Sequence, residues 1–287
     1  MNIGVAVIDT GIYRHRDFDN RIIGFVDFVN NKKRPYDDSG HGTHVSGIIA
    51  GSGIASNGKY RGIARQACII AVKVLDKNGN GKIDDVRQGL KWVYDNGKKY
   101  NVRVVNISFG TTEKLSLSED SELIVMVEKL WDSGFIVVAA AGNSGPDKNS
   151  VTAPGISRKI ITVGAYDDYS YMKTNKKYYD KSKNNMIKYY SGRGPTSCCI
   201  VKPELVVAGS NMIACSNKKD TYSVKSGTSM AAPIVSGAIA RYLKDNNKNI
   251  SPKDIKKRLK QYCHKIDVPD NQQGWGVLDV YSFIREK

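Results

Sequence analysis

No apolar run in this chain approaches the roughly 18 residues a membrane-crossing helix needs, so the sequence as it stands is not that of a helical membrane protein. The chain opens Met1-Asn2-Ile3-Gly4 directly into an apolar stretch, without the basic start and cleavable apolar segment of a secretory leader. Cysteine is scarce: Cys68, Cys198, Cys199, Cys215 and Cys263 make an odd number, and two are adjacent, which is poor material for a disulfide framework. Free thiols in a reducing compartment are expected instead, and with them a cytoplasmic location. Acidic residues are in deficit, 28 against 44 Lys and Arg, leaving a net charge of +16 that should attract polyanions or acidic peptides. Apolar material is not lacking. At 40% hydrophobic over 287 residues the chain can bury a sizeable core, which excludes a disordered or miniature scaffold.

Short runs rich in Val and Ile alternate with longer helical patterns, the signature of a parallel sheet covered by helices on both faces. Strands are predicted at 3–8, 69–74, 102–107, 135–140 and 160–163. Helices are predicted over 84–98 and over 119–133, the second introduced by Ser118 and stopped by Gly134. Late in the chain a small-residue run from Thr228 through Ala240 continues as a helix to Asn246, and Ser251-Pro252 supplies an N-cap and first-turn proline for another. No repeat, linker or composition break divides the chain, so a single α/β domain spanning 1–287 is expected, a three-layer α/β/α arrangement around a central, mostly parallel sheet. The segment 169–193 interleaves Lys173, Lys176, Lys177, Lys181, Lys183 and Lys188 with tyrosines. It carries no recognisable nucleic-acid module and reads as a basic surface insertion.

Three segments bear chemistry. Asp9 closes the first apolar strand and is followed by Thr10-Gly11, which puts a carboxylate at the carboxyl end of a parallel strand, where such sheets bind ligands; the same triplet suits an ordinary turn. His41 lies among small residues in Ser39-Gly40-His41-Gly42-Thr43-His44, so backbone and substrate can approach its imidazole. The His41/His44 spacing lacks the glutamate and the i+4 histidine of a zinc-protease helix, and His44 reads as a packed helix residue. Ser229, in Gly227-Thr228-Ser229-Met230-Ala231-Ala232-Pro233, begins a helix, where backbone N–H groups and the positive dipole end suit a developing oxyanion; an ordinary N-cap is the alternative.

Together these segments resemble the three signature segments of subtilisin-like serine peptidases, the subtilases, in that family's Asp, His, Ser order. The similarity runs from about residue 3 to Gly274-Trp275-Gly276, and the start of the chain resembles the family's intracellular, prodomain-less branch. The resemblance implies a serine endopeptidase working through an acyl-enzyme, with Asp9, His41 and Ser229 as triad. Gly142-Asn143-Ser144-Gly145 resembles the family's oxyanion segment, which gives Asn143 the donor role. Gly79-Asn80-Gly81 and Ser108-Phe109-Gly110 resemble the two edges between which substrate is added as a strand. A specificity pocket is implied between Ser108–Gly110 and Ala140, Ala141 and Gly142, with Thr152 near its base making it shallower than a glycine would.

No cofactor or metal is required by this reading. Asp76 to Asp84 looks like the start of a calcium loop, but Arg87 stands where the bidentate glutamate belongs, and the segment from Gly51 to Arg61 is short where many subtilases carry a calcium loop. Structural calcium is therefore allowed without a complete motif. The partners expected are peptide or protein substrates, with acidic segments such as leader peptides favoured by the charge, acting on a monomer with no nucleic acid and no membrane. The alternative is a catalytically inactive subtilase fold serving as a regulatory or binding module.

Overall fold

Strands with helices on both sides meet water on neither face, so they read as unbroken apolar runs rather than as alternations. The computed structural model, which describes residues 2–111, 121–166, 190–246 and 250–285, shows this in its central strands. β1 (Gly4–Asp9), β2 (Ile22–Asp27), β3 (Cys68–Lys73), β4 (Val102–Ile107), β5 (Ile136–Ala140), β6 (Ile161–Tyr166) and β7 (Leu205–Ala208) are mutually parallel, in the order β7-β6-β5-β4-β1-β3-β2. β1, β3 and β5 are buried along their whole length. β8 (Met212–Cys215) and β9 (Tyr222–Lys225) form a separate antiparallel hairpin. β10 (Cys263–His264) and β11 (Val277–Leu278) extend the main sheet beyond β7, β11 parallel to it and β10 antiparallel to β11.

The longer helices among the described residues are α1 (His41–Ala50), α2 (Ile83–Asn96), α3 (Glu122–Asp132), α4 (Thr228–Asn246) and α5 (Pro252–Gln261). α1 packs on α4, and α2 on α3, giving two helical layers with the sheet between them. α1 and α4 are rich in small residues and buried nearly all round, α4 lying across β4, β5 and β6. The strand order reverses at β1, which pairs β3 on one side and β4 on the other, with Asp9 opposite Lys73. A crevice at the carboxyl ends beside such a reversal is where open α/β sheets bind ligands. Among the described residues no helix is long and apolar enough to cross a membrane.

The predicted strand cores are present, but β2 and β7 to β11 were not anticipated. β2 is an edge strand, interrupted by Gly24 and only partly buried, so it lacks the continuous apolar signal. α2 runs 83–96 rather than 84–98, its end passing into a 3-10 turn over Gly97–Tyr100. α3 starts at Glu122 under Ser121, whose hydroxyl accepts from the Ile124 N–H, rather than under Ser118, which lies outside the described residues. Gly134, at φ +94°, follows it. Ser251 caps α5 as expected, accepting from the Asp254 N–H, with Pro252 in the first turn. Most of the basic 169–193 segment also lies outside the described residues.

Candidate active site

Asp9 ends β1 fully buried, its Oδ1 accepting the Thr10 N–H at 2.7 Å and facing His41 Nδ1 at 2.8 Å. Its Oδ2 is buried and, among the described residues, has no hydrogen-bond partner. His41 is the first residue of α1, its side chain about a quarter exposed (26%) toward a cleft. The close approach depends on Gly42, because a Cβ there would lie 2.3 Å from the Gly11 carbonyl oxygen and 3.1 Å from Asp9 Oδ1. Burial disfavours the imidazolium, but the charge of Asp9 and its hydrogen bond outweigh that and hold the His41 pKa above its ordinary value.

Two residues that the sequence did not mark hold this pair in place. Asp37 accepts from Thr10 Oγ1 and from the Ser39 and Gly40 N–H groups on Oδ1, and from both the N–H and the hydroxyl of Thr43 on Oδ2. It therefore satisfies the open N-terminus of α1 and ties it to the end of β1, with Thr10 Oγ1 also accepting from the Gly42 N–H. Lys73, fully buried, donates from Nζ to the Thr10 and Leu75 carbonyls and to Asp38, strapping the end of β3 to the end of β1.

Ser229 is the second residue of α4, just after Gly227 at φ +146°. Asn143 stands against this turn, its Oδ1 accepting from both the N–H and the hydroxyl of Thr228 at 3.0 Å. That double anchor fixes the amide orientation and leaves Nδ2 as a donor. His41, Asn143 and Ser229 line one open cleft of about 530 Å³. Among the described residues no hydrogen bond joins Ser229 to His41.

Gly79, Ser108, Phe109, Gly110, Ala140, Gly142 and Thr152 line the same cleft. Asn80 and Gly81 line an adjoining one of about 430 Å³, which shares Leu75, Gly79, Phe109 and Gly110 with the first and continues to Ile83, Val86 and Leu123. Ala141 lines neither. It is buried, and its carbonyl accepts the Thr152 N–H. Thr152 fills the floor between two glycines: a Cβ on Gly110 would lie 1.9 Å, and one on Gly142 2.3 Å, from its Oγ1. Leu75, Asn78, Ser144, Lys225 and Thr228 also line the cleft, and the sequence alone assigned none of them a role there.

His41 and His44 do not converge on a shared point: the His44 Nε2 is hydrogen-bonded to the carbonyls of Met212 and Ser223, and burial lowers its pKa to about 4. Asp76 spends its carboxylate on the Asn78 and Asn80 N–H groups, and Asp84 pairs with Arg87. Among the described residues one cluster, His15, Asp17 and Cys215, has metal-ligand spacing. Its atoms are already engaged: Asp17 accepts from the Gly53 and Ala55 N–H groups and from Tyr222, and His15 from the Asp17 N–H. The Gly51–Arg61 loop thus turns N–H groups toward Asp17, while the Arg21 guanidinium donates to the carbonyls of Asp17, Ala50 and Ala67. N–H donors and a guanidinium around Asp17 are a poor lining for calcium.

The model of the subtilase family matches residues 1–276. This chain belongs to the subtilase family. Serine protease AprX of Bacillus subtilis is 38% identical over 300 residues, covering 98% of this chain and 66% of that protein. The thermophilic serine proteinase of Bacillus sp. strain AK1 is 31% identical, covering 98% of this chain and 61% of its own length. Subtilisin BL of Lederbergia lenta is 33% identical, covering 99% and 91%. A crystal structure of a cold-adapted subtilisin-like serine proteinase superposes with a TM-score of 0.72 at 29% identity, covering 96% of this chain and 86% of the other. The chain spans less than two thirds of the length of AprX and of the thermophilic proteinase. The subtilase fold and its three-layer architecture are those expected.

Proposed function

We propose that this subtilase is a serine endopeptidase in which Ser229 is the nucleophile, His41 the general base and then acid, Asp9 the group that orients and charges His41, and Asn143 an oxyanion donor. The observation that carries the proposal is the 2.8 Å contact of His41 Nδ1 with buried Asp9 at the wall of the cleft that also holds Ser229 and Asn143. A serine hydroxyl is too weakly acidic to attack an amide unless a base removes its proton during the attack. Asp9 fixes the tautomer that leaves His41 Nε2 free to take that proton. As the Ser229 Oγ bonds to the carbonyl carbon, charge moves to the carbonyl oxygen, where Asn143 Nδ2 and the Ser229 N–H meet it. His41 then passes the proton to the leaving amine, and water hydrolyses the acyl-enzyme by the same route in reverse.

The acyl half of the substrate is added as a strand between Gly79-Asn80-Gly81 and Ser108-Phe109-Gly110, into the cleft that continues past Ile83 and Leu123. Five free thiols support a reducing, cytoplasmic setting, and the +16 charge supports a preference for acidic segments such as leader peptides, cleaved by a monomer. A fluorophosphonate probe tests the chemistry: labelling is expected at Ser229, located by mass mapping and lost in Ser229→Ala. Well-folded wild type that takes up no label would overturn the assignment.

A further inference from the structure

Among the described residues, the cleft holding Ser229 contains one side chain with a fixed charge, Lys225, and the proposed acyl-transfer steps leave it unused. It is the last residue of β9, four positions before Ser229, and half-buried. Among the described residues its ammonium has neither an ion pair nor a hydrogen bond, whereas the buried Lys73 and Lys202 are each held by a carboxylate. A half-buried cation facing a cleft without a partner loses hydration and gains nothing until an anion arrives.

Position tells which part of a substrate would bring that anion. β9 borders α1, since His44 on α1 is hydrogen-bonded to the Ser223 carbonyl in β9, and the charge of Lys225 acts on the His41 imidazole, pushing its pKa down against Asp9. His41 is the group that hands a proton to the leaving amine, so the leaving half of the substrate passes on its side. Lys225 does not line the adjoining cleft that carries the acyl half onward past Ile83 and Leu123. We propose that Lys225 is a carboxylate-binding subsite on the leaving-group side, selecting an acidic residue directly after the scissile bond. The proposal rests on the endopeptidase reading of the same cleft, and it replaces diffuse attraction by the whole basic surface with one named contact.

The test uses peptides that share one acyl half and carry Asp, Asn or Lys after the scissile bond. The ratio of kcat/KM for Asp over Asn is measured in wild type, Lys225→Met and Lys225→Glu. Partly screened ion pairs of this kind correspond to about two- to fivefold. We expect that preference in wild type, a ratio near unity in Lys225→Met, and Lys preferred over Asp in Lys225→Glu. The same ratios are read as dissociation constants for the three peptides on Ser229→Ala protein, with and without the Lys225 changes, by fluorescence anisotropy. If Ser229 takes no probe and nothing is cleaved, the peptidase reading falls while the binding ratios still decide for or against Lys225. A wild-type ratio of one in both readouts overturns the proposal. So does an acidic preference that survives both substitutions and vanishes with added salt, which would belong to the general field of the protein.

Discussion

Asn143 accepts two hydrogen bonds from the single residue Thr228, one from its backbone and one from its hydroxyl, each 3.0 Å long. The proposed oxyanion donor and the turn carrying Ser229 are therefore tied together, with the Asn143 amide already aimed before any substrate arrives. Asn143→Ala should lower kcat by about 10²–10³ with little change in KM, the magnitude known for the same donor in subtilisin. Thr228→Val keeps the N–H and loses only the hydroxyl, so a fall of about two- to tenfold in kcat is expected, the worth of one net hydrogen bond. Steady-state kinetics on a neutral peptide checks both, and an unchanged kcat in Thr228→Val would show that its hydroxyl does not aim Asn143.

On the proposed mechanism, the pairing of His41 with Asp9 sets the acid limb of the pH profile. His41 must be neutral to act as a base, so kcat/KM should fall about tenfold per pH unit below its raised pKa. Asp9→Asn removes the charge that raises the pKa and leaves the burial that lowers it. The limb should then move to lower pH while kcat falls by about 10⁴. The linkage sign is also set: a histidine whose pKa is raised on folding contributes stability below its unfolded value of about 6.5, lost as pH rises through the folded value. Profiles of kcat/KM against pH for the two proteins check the shift, and an unmoved limb would assign it to another group.

Asp37 joins the start of α1 to the end of β1 through five accepted hydrogen bonds. Asp37→Ala leaves buried donors unpaired and removes an anion from a helix N-terminus, so a loss of about 2–4 kcal/mol is expected in chemical denaturation. Asp37→Asn should be intermediate. A change below 0.5 kcal/mol, roughly the size of an ordinary surface substitution, would mean that water replaces the carboxylate there.

The parts of this molecule that were legible in sequence are those whose physical signal is local. β1, β3 and β5 are buried on both faces and so spell unbroken apolar runs, and the segments around Asp9, His41 and Ser229 carry their small-residue surroundings in the chain itself. β10 and β11, two residues each, are too short to produce a period. Asp37 sits in an unremarkable Asp-Asp-Ser-Gly turn, and its role exists only once Thr10 is brought against it from 27 positions away. Lys225 is one basic residue among 44, distinguished by what it faces and not by what precedes it. His44 was legible as a packed residue because it lies one turn into a helix of small apolar residues, though its two carbonyl partners were not.

Thr152 stands where side chains on Gly110 and Gly142 would have to go. The three positions are consequently a single unit of variation rather than three. From the present sequence, a Cβ at Gly110 is not accessible until position 152 has first become smaller, and Gly142, at φ +90°, resists one in any case. Once position 152 has shrunk and a side chain has grown in from Gly110, the return to threonine is closed. The order in which a lineage, or a directed-evolution campaign, visits these positions thus decides which substrates it can ever come to accept.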